Sequence, residues 1–311
     1  MDGGGPVTLR KTPMHHLLRD SLKSSIASGL LILKYVVPLY IVADILLYFD
    51  LLRHLGFLFA PLTSLLNLPP EAAVALAGGV LINIYAGIAF AAPLGLSPYQ
   101  WTILGVFLGV CHSMIVESAI MAKLGISYGY SIVLRGVGAC LTVIPVLLMP
   151  SSFFGQAVPH NQIVTPQYAT FWQMLFYSLG NALVLSVKVI LLIGLIIVVM
   201  DLLKSTRFLQ AHLAKVNTSF SIIAGQLLGI TYGAGILIGE ATRGNLSRED
   251  IFFIGTFLMI CHSLVEDVLL FVLFGANYWI IIGLRLTAAL LISYLLARVF
   301  RVISLDRVVR R

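Results

Sequence analysis

One short polar motif occurs twice in this chain, each time inside a long apolar segment. It reads CHSMIVE at 111–117 and CHSLVED at 261–267, so the second copy begins 150 residues after the first. Two of the three cysteines and two of the seven histidines fall in these copies, and a carboxylate ends both. Ionisable groups in an apolar setting cost roughly a few kcal/mol each unless they are paired or solvated. The doubled motif therefore predicts a functional site, and polar contacts that pack helices together are the alternative.

The composition indicates that these apolar segments lie in a membrane. Hydrophobic residues make up 59% of the chain and charged residues only 11%, which is too few charges to cover a soluble globule. The apolar run at about 25–49 is too long for a secretory signal, and no small-residue cleavage site follows it, so we expect a retained first span. Three cysteines make no disulfide framework. The net charge of +7 is a topology signal, because no basic stripe is interleaved with aromatics as in nucleic-acid binders.

The similarity between the two halves of the chain extends well beyond the motif. Arg135 and Arg285 match at the same offset of 150, and DLLR at 50–53 matches DLLK at 201–204 at an offset of 151. Compositional bias in so apolar a chain would supply stray leucine matches. It would not align Cys-His-Ser, an acid and an arginine inside a span, so the pattern indicates an internal repeat.

Each half of the chain contains the same five elements in the same order. These are a long apolar span, an amphipathic interfacial helix, a glycine-rich apolar segment, the motif-bearing span and a final span with the matched arginine. The ranges are about 26–49, 51–67, 71–95, 98–121 and 128–149 in the first half, and 170–200, 202–217, 219–242, 248–274 and 277–300 in the second. Ser97 and Ser247 are predicted to cap the two motif-bearing spans.

The positions of lysine and arginine decide between two topologies. Sixteen of these basic residues lie outside the spans. If the glycine-rich segments cross the membrane, eleven are cytoplasmic and five are not; if those segments are re-entrant hairpins, the division is fifteen to one, which fits the positive-inside rule far better. Residues such as Asn83, Tyr85, Thr231 and Tyr232 in mid-segment also suit a helix that breaks and reverses. A continuous span with a packing face of small residues is the alternative.

We therefore predict an all-α polytopic membrane protein with two inverted repeats, each of three transmembrane helices, one interfacial helix and one re-entrant hairpin. The expected location is the cell inner (plasma) membrane, with several passes and both termini cytoplasmic. The predicted units are a cytoplasmic N-terminal segment at 1–24, the first repeat at 25–149, an extracytoplasmic linker at 150–168, the second repeat at 169–303 and a basic cytoplasmic tail at 304–311.

This order of elements resembles the transport core of the concentrative nucleoside transporters. It also resembles the Gate, or nucleoside-recognition, domains of stand-alone membrane proteins, spore-maturation proteins and bacterial ferrous-iron permeases. The resemblance covers about residues 26–300 and rests on element order and on the polar motif-bearing span, without a residue-by-residue match to the nucleoside-binding signature. It implies a site at mid-membrane, between two hairpin tips and two broken or polar spans, in a unit that moves against a scaffold. Inverted repeats would supply the two near-equivalent conformations of alternating access.

Three uses fit the polar residues of the motifs. A polar solute such as a nucleoside would be held by hydroxyl, imidazole and carboxylate groups, with a tyrosine to stack on a base. A coupling proton would reside on a histidine or a carboxylate. A transition metal would find thiolate, imidazole and carboxylate ligands together. The predicted solute-binding residues are Asn83, Tyr85, His112, Ser113, Glu117, Thr231, Tyr232, His262, Ser263, Glu266 and Asp267, and the candidate metal ligands are Cys111, His112, Glu117, Cys261, His262 and Glu266.

Helical spacing constrains how these side chains could meet. In a continuous helix Ser113 and Glu117 share a face, whereas His112 and Glu117, five apart, do so only if the helix is distorted. Adjacent residues diverge by about 100° on a helix, so a metal cluster needs ligands from both repeats to converge. The buried arginines need partners: we expect structural ion pairs between Arg135 and Glu117 and between Arg285 and the second motif's acids, and binding of an anionic group is the alternative.

We predict secondary transport of a small polar solute, driven by a proton or sodium gradient. A divalent transition-metal permease for ferrous iron or zinc, and a non-transporting structural or partner-binding membrane protein, are the alternatives. The chain has no nucleophile elbow, Walker loop or helical zinc-protease pair, so we expect no enzyme activity and no cofactor. The expected partners are the solute, its coupling ion and the lipid bilayer, with no nucleic acid, while a homo-oligomer stays open.

Overall fold

A computed structural model describes residues 14–51, 60–154, 168–204, 238–239, 241, 244, 246–302 and 308–309. Within these ranges the chain is helical and contains no β-strand; one isolated bridge joins Ile126 and Val309. The helices are α1 (Met14–Tyr48), α2 (Ala60–Leu65), α3 (Ala72–Leu81), α4 (Ile84–Ala91), α5 (Pro98–Cys111), α6 (Met114–Lys123), α7 (Tyr128–Leu148), α8 (Phe171–Lys204), α9 (Arg248–Ile260), α10 (Glu266–Val272) and α11 (Tyr278–Val302).

Five helical segments in the described part of the chain are long and apolar enough to cross a membrane. They are Ser21–Tyr48, Pro98–Lys123, Tyr128–Leu148, Phe171–Leu202 and Tyr278–Phe300. The predicted all-α class with several membrane spans is confirmed at this level. The span predicted at 248–274 is not among them, because it is divided into α9 and α10, of 13 and 7 residues, so the count of six spans stays a prediction.

The two longest helices, α1 and α8, pack against each other in opposite directions. Ser21 Oγ donates a hydrogen bond to Asp201 Oδ2 at 2.7 Å near one end of the pair. The rings of Tyr48 and Phe171 lie 6.0 Å apart at the other end. The start of α1 therefore lies beside the end of α8, and the two helices are antiparallel. Large apolar side chains on the outer face of α8 are exposed, including Trp172 at 75%, as expected of a surface in contact with lipid.

Helix α5 lies at the centre of the protein, and each motif-bearing helix packs beside the last helix of the other half. Every residue of α5 from Tyr99 to Cys111 is buried. Thr102 Oγ1 accepts a hydrogen bond from the backbone N–H of Asn277, at the start of α11, at 2.9 Å. In the equivalent place, the hydroxyls of Thr256 on α9 and Tyr130 on α7 lie 2.9 Å apart. These contacts between the halves bring the two motifs together in the interior.

The first glycine-rich segment folds as a helical hairpin. Helices α3 and α4 meet at Ile82 and Asn83, where Asn83 Oδ1 accepts a hydrogen bond from the N–H of Ala86 at 2.9 Å and so caps α4. A Cβ atom at Gly87 would lie 3.0 Å from the Cα of Gly79. Glycine at these two positions therefore allows the two helices to approach closely.

Several predicted elements lie wholly or partly outside the described residues. These are Thr231, Tyr232 and most of the second glycine-rich segment, residues 205–217 of the second interfacial helix, and residues 155–167 of the central linker. Of the first interfacial helix, predicted at 51–67, the structure describes α2 and the residues beside it. Helix α1 begins at Met14, inside the segment predicted to precede the first span. In the basic tail, Val308 accepts a hydrogen bond from the N–H of Ser127, between α6 and α7, at 2.7 Å.

Candidate functional site

Both motif-bearing helices break within the repeated motif. Helix α5 ends at Cys111 and α6 begins at Met114, while α9 ends at Ile260 and α10 begins at Glu266. The central serines, Ser113 and Ser263, have φ values of 47° and 48°. This left-handed conformation costs an L-residue about 1–2 kcal/mol. The same strain at equivalent positions of both motifs indicates a shared local structure, and such strain is concentrated at functional sites.

Arg135 satisfies the carbonyl groups that the first break exposes. A helix that ends in mid-span leaves backbone carbonyls without partners inside the helix, and the hydrocarbon offers none. The Nε of Arg135 donates to the carbonyl of Val110 at 2.9 Å and its Nη2 donates to that of His112 at 2.7 Å. The side chain is fully buried. Its charge also suits the partial negative charge at a helix C-terminus.

Arg285 has the same role at the second break. It donates from Nε to the carbonyl of Ile260 at 3.4 Å and from Nη2 to that of His262 at 2.7 Å. The same Nη2 also donates to the carbonyl of Gly109 on α5. A Cβ atom at Gly109 would lie 3.0 Å from the guanidinium group, so glycine leaves the room that this contact needs. Arg285 therefore joins the break in one half of the chain to the central helix of the other.

Glu117 lies at the centre of the cluster that the two motifs form. Its Oε1 is 3.0 Å from His112 Nε2, and its Oε2 is 3.3 Å from His262 Nε2. The same Oε2 lies 2.5 Å from Arg135 Nη2. This ion pair is the one expected from the sequence. The break at Ser113 explains why His112 and Glu117 meet, since a continuous helix would place them on different stripes.

Both histidines direct the same ring nitrogen, Nε2, towards Glu117. Nδ1 of His112 lies 2.8 Å from the carbonyl of Leu108, and Nδ1 of His262 lies 2.8 Å from that of Leu258. A carbonyl oxygen can only accept, so each Nδ1 carries a proton and each Nε2 is directed at Glu117. The ring centroids are 5.2 Å apart. Two imidazoles from different halves thus share one carboxylate.

Asp267 supplies the second carboxylate of the cluster. Its Oδ2 lies 3.8 Å from Arg285 Nη1 and 3.9 Å from His112 Nε2. These are ion contacts by distance, since Asp267 Oδ2 and His262 Nε2 make no hydrogen bond of good geometry with any residue that the structure describes. Glu117 Oε2 is likewise held by proximity to its cations, without hydrogen-bond geometry, within the same residues. Buried polar atoms in this state indicate a place for a further group.

The tip of the α3–α4 hairpin contacts both breaks. The backbone N–H of Ser113 donates to the carbonyl of Gly79 at 2.9 Å. The hydroxyl of Tyr85 donates to Glu266 Oε1 at 2.8 Å. A movement of this hairpin would therefore alter contacts with both motifs.

The structure brings together only some of the site residues predicted from the sequence. His112, Glu117, His262 and Asp267 form the cluster, while Tyr85 and Glu266 pair beside it. Asn83 Oδ1 is instead bonded to the hairpin's own backbone. Ser113 and Ser263 supply the left-handed backbone of the breaks.

The cysteines do not join the candidate metal ligands. Among the described residues, the ligand atoms that all lie within 4.8 Å of one another belong to His112, Glu117 and His262. The thiol of Cys111 donates to the carbonyl of Phe107 at 3.2 Å, which turns it back along α5. Sequence reasoning also missed the contact between Gly109 and Arg285, because Met259 occupies the matching position in the second half and the repeat therefore gave no signal.

The spans and the charged cluster buried among them define a polytopic α-helical membrane protein. The chain is 30% identical over 286 residues to the uncharacterized membrane protein YvoD of Bacillus subtilis (strain 168), which covers 86% of this chain and 90% of that protein. The chain belongs to the family of that protein. No protein-family model matches it, and no solved structure does.

Proposed function

We propose that this protein is a secondary transporter that moves a small polar solute across the inner membrane by alternating access. In this proposal residues 25–149 and 169–303 are inverted repeats, each with three membrane crossings, an interfacial helix and a re-entrant hairpin, and both termini are cytoplasmic. The observation that carries the proposal is the convergence of ionisable side chains from both motifs into one buried cluster. Such residues inside a membrane are costly and are typical of substrate or ion pathways.

The directions of the helices support the inverted arrangement. Helices α1 and α8 hold equivalent places in the two halves and run antiparallel. Helix α5 runs with α11, since Thr102 meets Asn277 and Gly109 meets Arg285. Inverted repeats typically bind substrate between broken helices near the bilayer midplane. Both motif-bearing helices here are broken at the cluster.

The solute class follows from the residues beside the cluster and from the resemblance to Gate domains. Carboxylate, imidazole and phenol groups would accept and donate hydrogen bonds to a polar solute, and Tyr85 offers a ring at the hairpin tip. The resemblance makes nucleosides the first solutes to test. A proton or sodium gradient would drive the movement, and the histidines would serve as proton carriers if the coupling ion is a proton.

Uptake by reconstituted protein tests the proposal. Proteoliposomes should accumulate a labelled nucleoside above the level in empty liposomes when an inward proton or sodium gradient is applied, and Glu117→Gln or Asp267→Asn should reduce that uptake to background. Glu249→Gln is the matched control, because Glu249 is an exposed carboxylate on α9, and its uptake should be unchanged. Absence of flux for every solute tested under both gradients would refute transport and favour a structural or partner-binding role.

A further inference from the structure

The spacing of five side-chain atoms from four residues in the buried cluster approaches that of the coordination shell of a metal ion. Transition metals hold nitrogen and oxygen ligands at about 2.0–2.2 Å, so tetrahedral neighbours lie about 3.4 Å apart and no two ligands exceed about 4.2 Å. The separations from His112 Nε2 to Glu117 Oε1 and Asp267 Oδ2 are 3.0 and 3.9 Å, and that from His262 Nε2 to Glu117 Oε2 is 3.3 Å. The three closest groups have ligand atoms within 4.8 Å of one another. Among these three groups the widest separation must therefore shrink by about 0.6 Å, and Asp267, which lies outside this group, must move towards the other ligands to complete the shell.

The orientation of both histidines is the one that metal-binding histidines adopt. Each Nδ1–H is held by a backbone carbonyl, an arrangement that fixes the ring and leaves Nε2 as the ligand atom. In the neutral imidazole, Nε2 carries a lone pair, and here that lone pair faces carboxylate oxygens. Two acceptors that face each other repel unless a proton or a metal ion lies between them. His262 Nε2 and Asp267 Oδ2, both deeply buried, have no hydrogen-bond partner in the described part of the chain.

The charge balance favours a cation over an anion. With neutral histidines, the carboxylates of Glu117, Asp267 and Glu266 outnumber the guanidinium groups of Arg135 and Arg285 by one charge. Each break brings together one helix C-terminus and one helix N-terminus, so the dipole contributions of these ends largely cancel. Both arginines direct Nη2 at backbone carbonyls, while Nη1 of each makes no hydrogen bond with the described residues and that of Arg285 lies 3.8 Å from the Asp267 carboxylate. The centre is therefore suited to bind a positive ion.

We propose that His112, Glu117, His262 and Asp267 form a site for one divalent transition-metal ion. The two imidazoles and two carboxylates make an N2O2 set, which suits zinc or ferrous iron and disfavours magnesium, an ion that prefers oxygen ligands. The ion would bind at the cluster where the proposed transporter would hold its solute, so this inference goes beyond the proposed function by adding a metal ion to that place. Only the coincidence with the solute site rests on the proposed function, since metal binding itself does not depend on transport.

Metal binding by the purified full-length chain, prepared without a histidine tag, tests the site. After treatment with a chelator, the protein should bind one Zn²⁺ or Co²⁺ per chain and no Mg²⁺. His112→Asn and His262→Asn are suitable variants, because an asparagine amide can still donate to the Leu108 or Leu258 carbonyl but cannot replace Nε2. Each should weaken binding by more than about 100-fold, since loss of a ligand should exceed the 10–100-fold effect of losing a supporting residue. Glu249→Gln should bind as the wild type does.

The absorption spectrum of the Co²⁺ form provides a readout of the ligands themselves. Ligation by nitrogen and oxygen should give visible d–d bands without thiolate charge transfer, because Cys111 is turned towards Phe107. Thiolate bands, zero stoichiometry, or full affinity in both asparagine variants would overturn the proposed site. If a variant does not fold, a Zn²⁺-dependent rise in the melting temperature of the wild type, without a rise in Mg²⁺, supports the site and its absence refutes it. Metal binding without flux would support the metal site and refute transport. Nucleoside flux without metal binding would support transport and refute the metal site.

Discussion

Replacing Arg135 with methionine removes the side chain that completes the broken end of α5. Arg135 is fully buried. It donates to the carbonyls of Val110 and His112 and pairs with Glu117. Methionine fills a similar volume but supplies neither donors nor charge. The substitution would therefore leave two carbonyls and one carboxylate without their partner in the interior.

The loss of stability can be worked out from the groups that Arg135→Met leaves without a partner. A buried group that loses its hydrogen-bond partner costs about 1–3 kcal/mol, and a buried ion pair that loses one member costs about 3–5 kcal/mol. These contributions overlap, because residues in one network are not additive. We expect Arg135→Met to lower the free energy of unfolding by at least about 3 kcal/mol, which is at the upper end for single substitutions. The free energy of unfolding of Arg135→Lys should lie between those of the wild type and Arg135→Met. Lysine keeps the charge, but its ammonium lacks the planar fork that reaches both carbonyls and the carboxylate.

Unfolding in a titration with a denaturing detergent, followed by tryptophan fluorescence, measures this difference. Arg298→Met is the control, because the Arg298 side chain is exposed and lies over the Tyr294 ring with its Cζ 5.0 Å from the centroid; it should change stability by less than about 1 kcal/mol. Adding Glu117→Gln to Arg135→Met removes the unpaired charge, so the double variant should recover about 2 kcal/mol. If Arg135→Met is as stable as Arg298→Met, the assignment of Arg135 to the helix break is wrong.

Three further outcomes are expected. Tyr85→Phe removes the hydrogen bond to Glu266 and should lower stability by about 1.5–3 kcal/mol, measured in the same titration; no change would mean that the hairpin tip is not held by this contact. Gly87→Ala places a methyl group against the neighbouring helix and should cost about 1–3 kcal/mol, whereas Gly136→Ala, where nothing lies within 4 Å of the added atom, should be neutral or slightly stabilising. Single cysteines introduced in the linker at 150–168 should react with an impermeant reagent from outside the cell, and labelling from the cytoplasmic side alone would contradict the inverted topology.

The class of fold was predictable because it depends on long-range regularities of composition. The apolar runs identify a membrane protein, and the offset of 150 between the two motifs aligns elements that occupy comparable places in the structure. The break within the predicted span at 248–274 could not be predicted from hydropathy. Residues 248–274 are apolar throughout most of their length, but the helix ends at Ile260 and resumes at Glu266, and hydropathy carries no information about backbone φ.

The members of the buried cluster were predictable, but their arrangement was not. Cys-His-Ser followed by an acid, repeated with a matched arginine, identified His112, Glu117, His262 and Asp267. The positive φ of Ser113 has no sequence signal, because serine rarely adopts that conformation, and without it the contact between His112 and Glu117 is not expected. The direction of the Cys111 thiol depends on the carbonyl of Phe107, which is likewise not visible in the sequence. The predicted roles of Thr231 and Tyr232 stay predictions.

The hydrogen bond from Arg285 to the carbonyl of Gly109 has a consequence for how the protein could be divided. The bond crosses from the last helix of the chain to the central helix of the first half, and α1 similarly relies on α8 for a partner along its length. Neither half thus contains all the groups that its own interior requires. A gene severed within the linker should give fragments that are degraded when produced singly and persist when produced together.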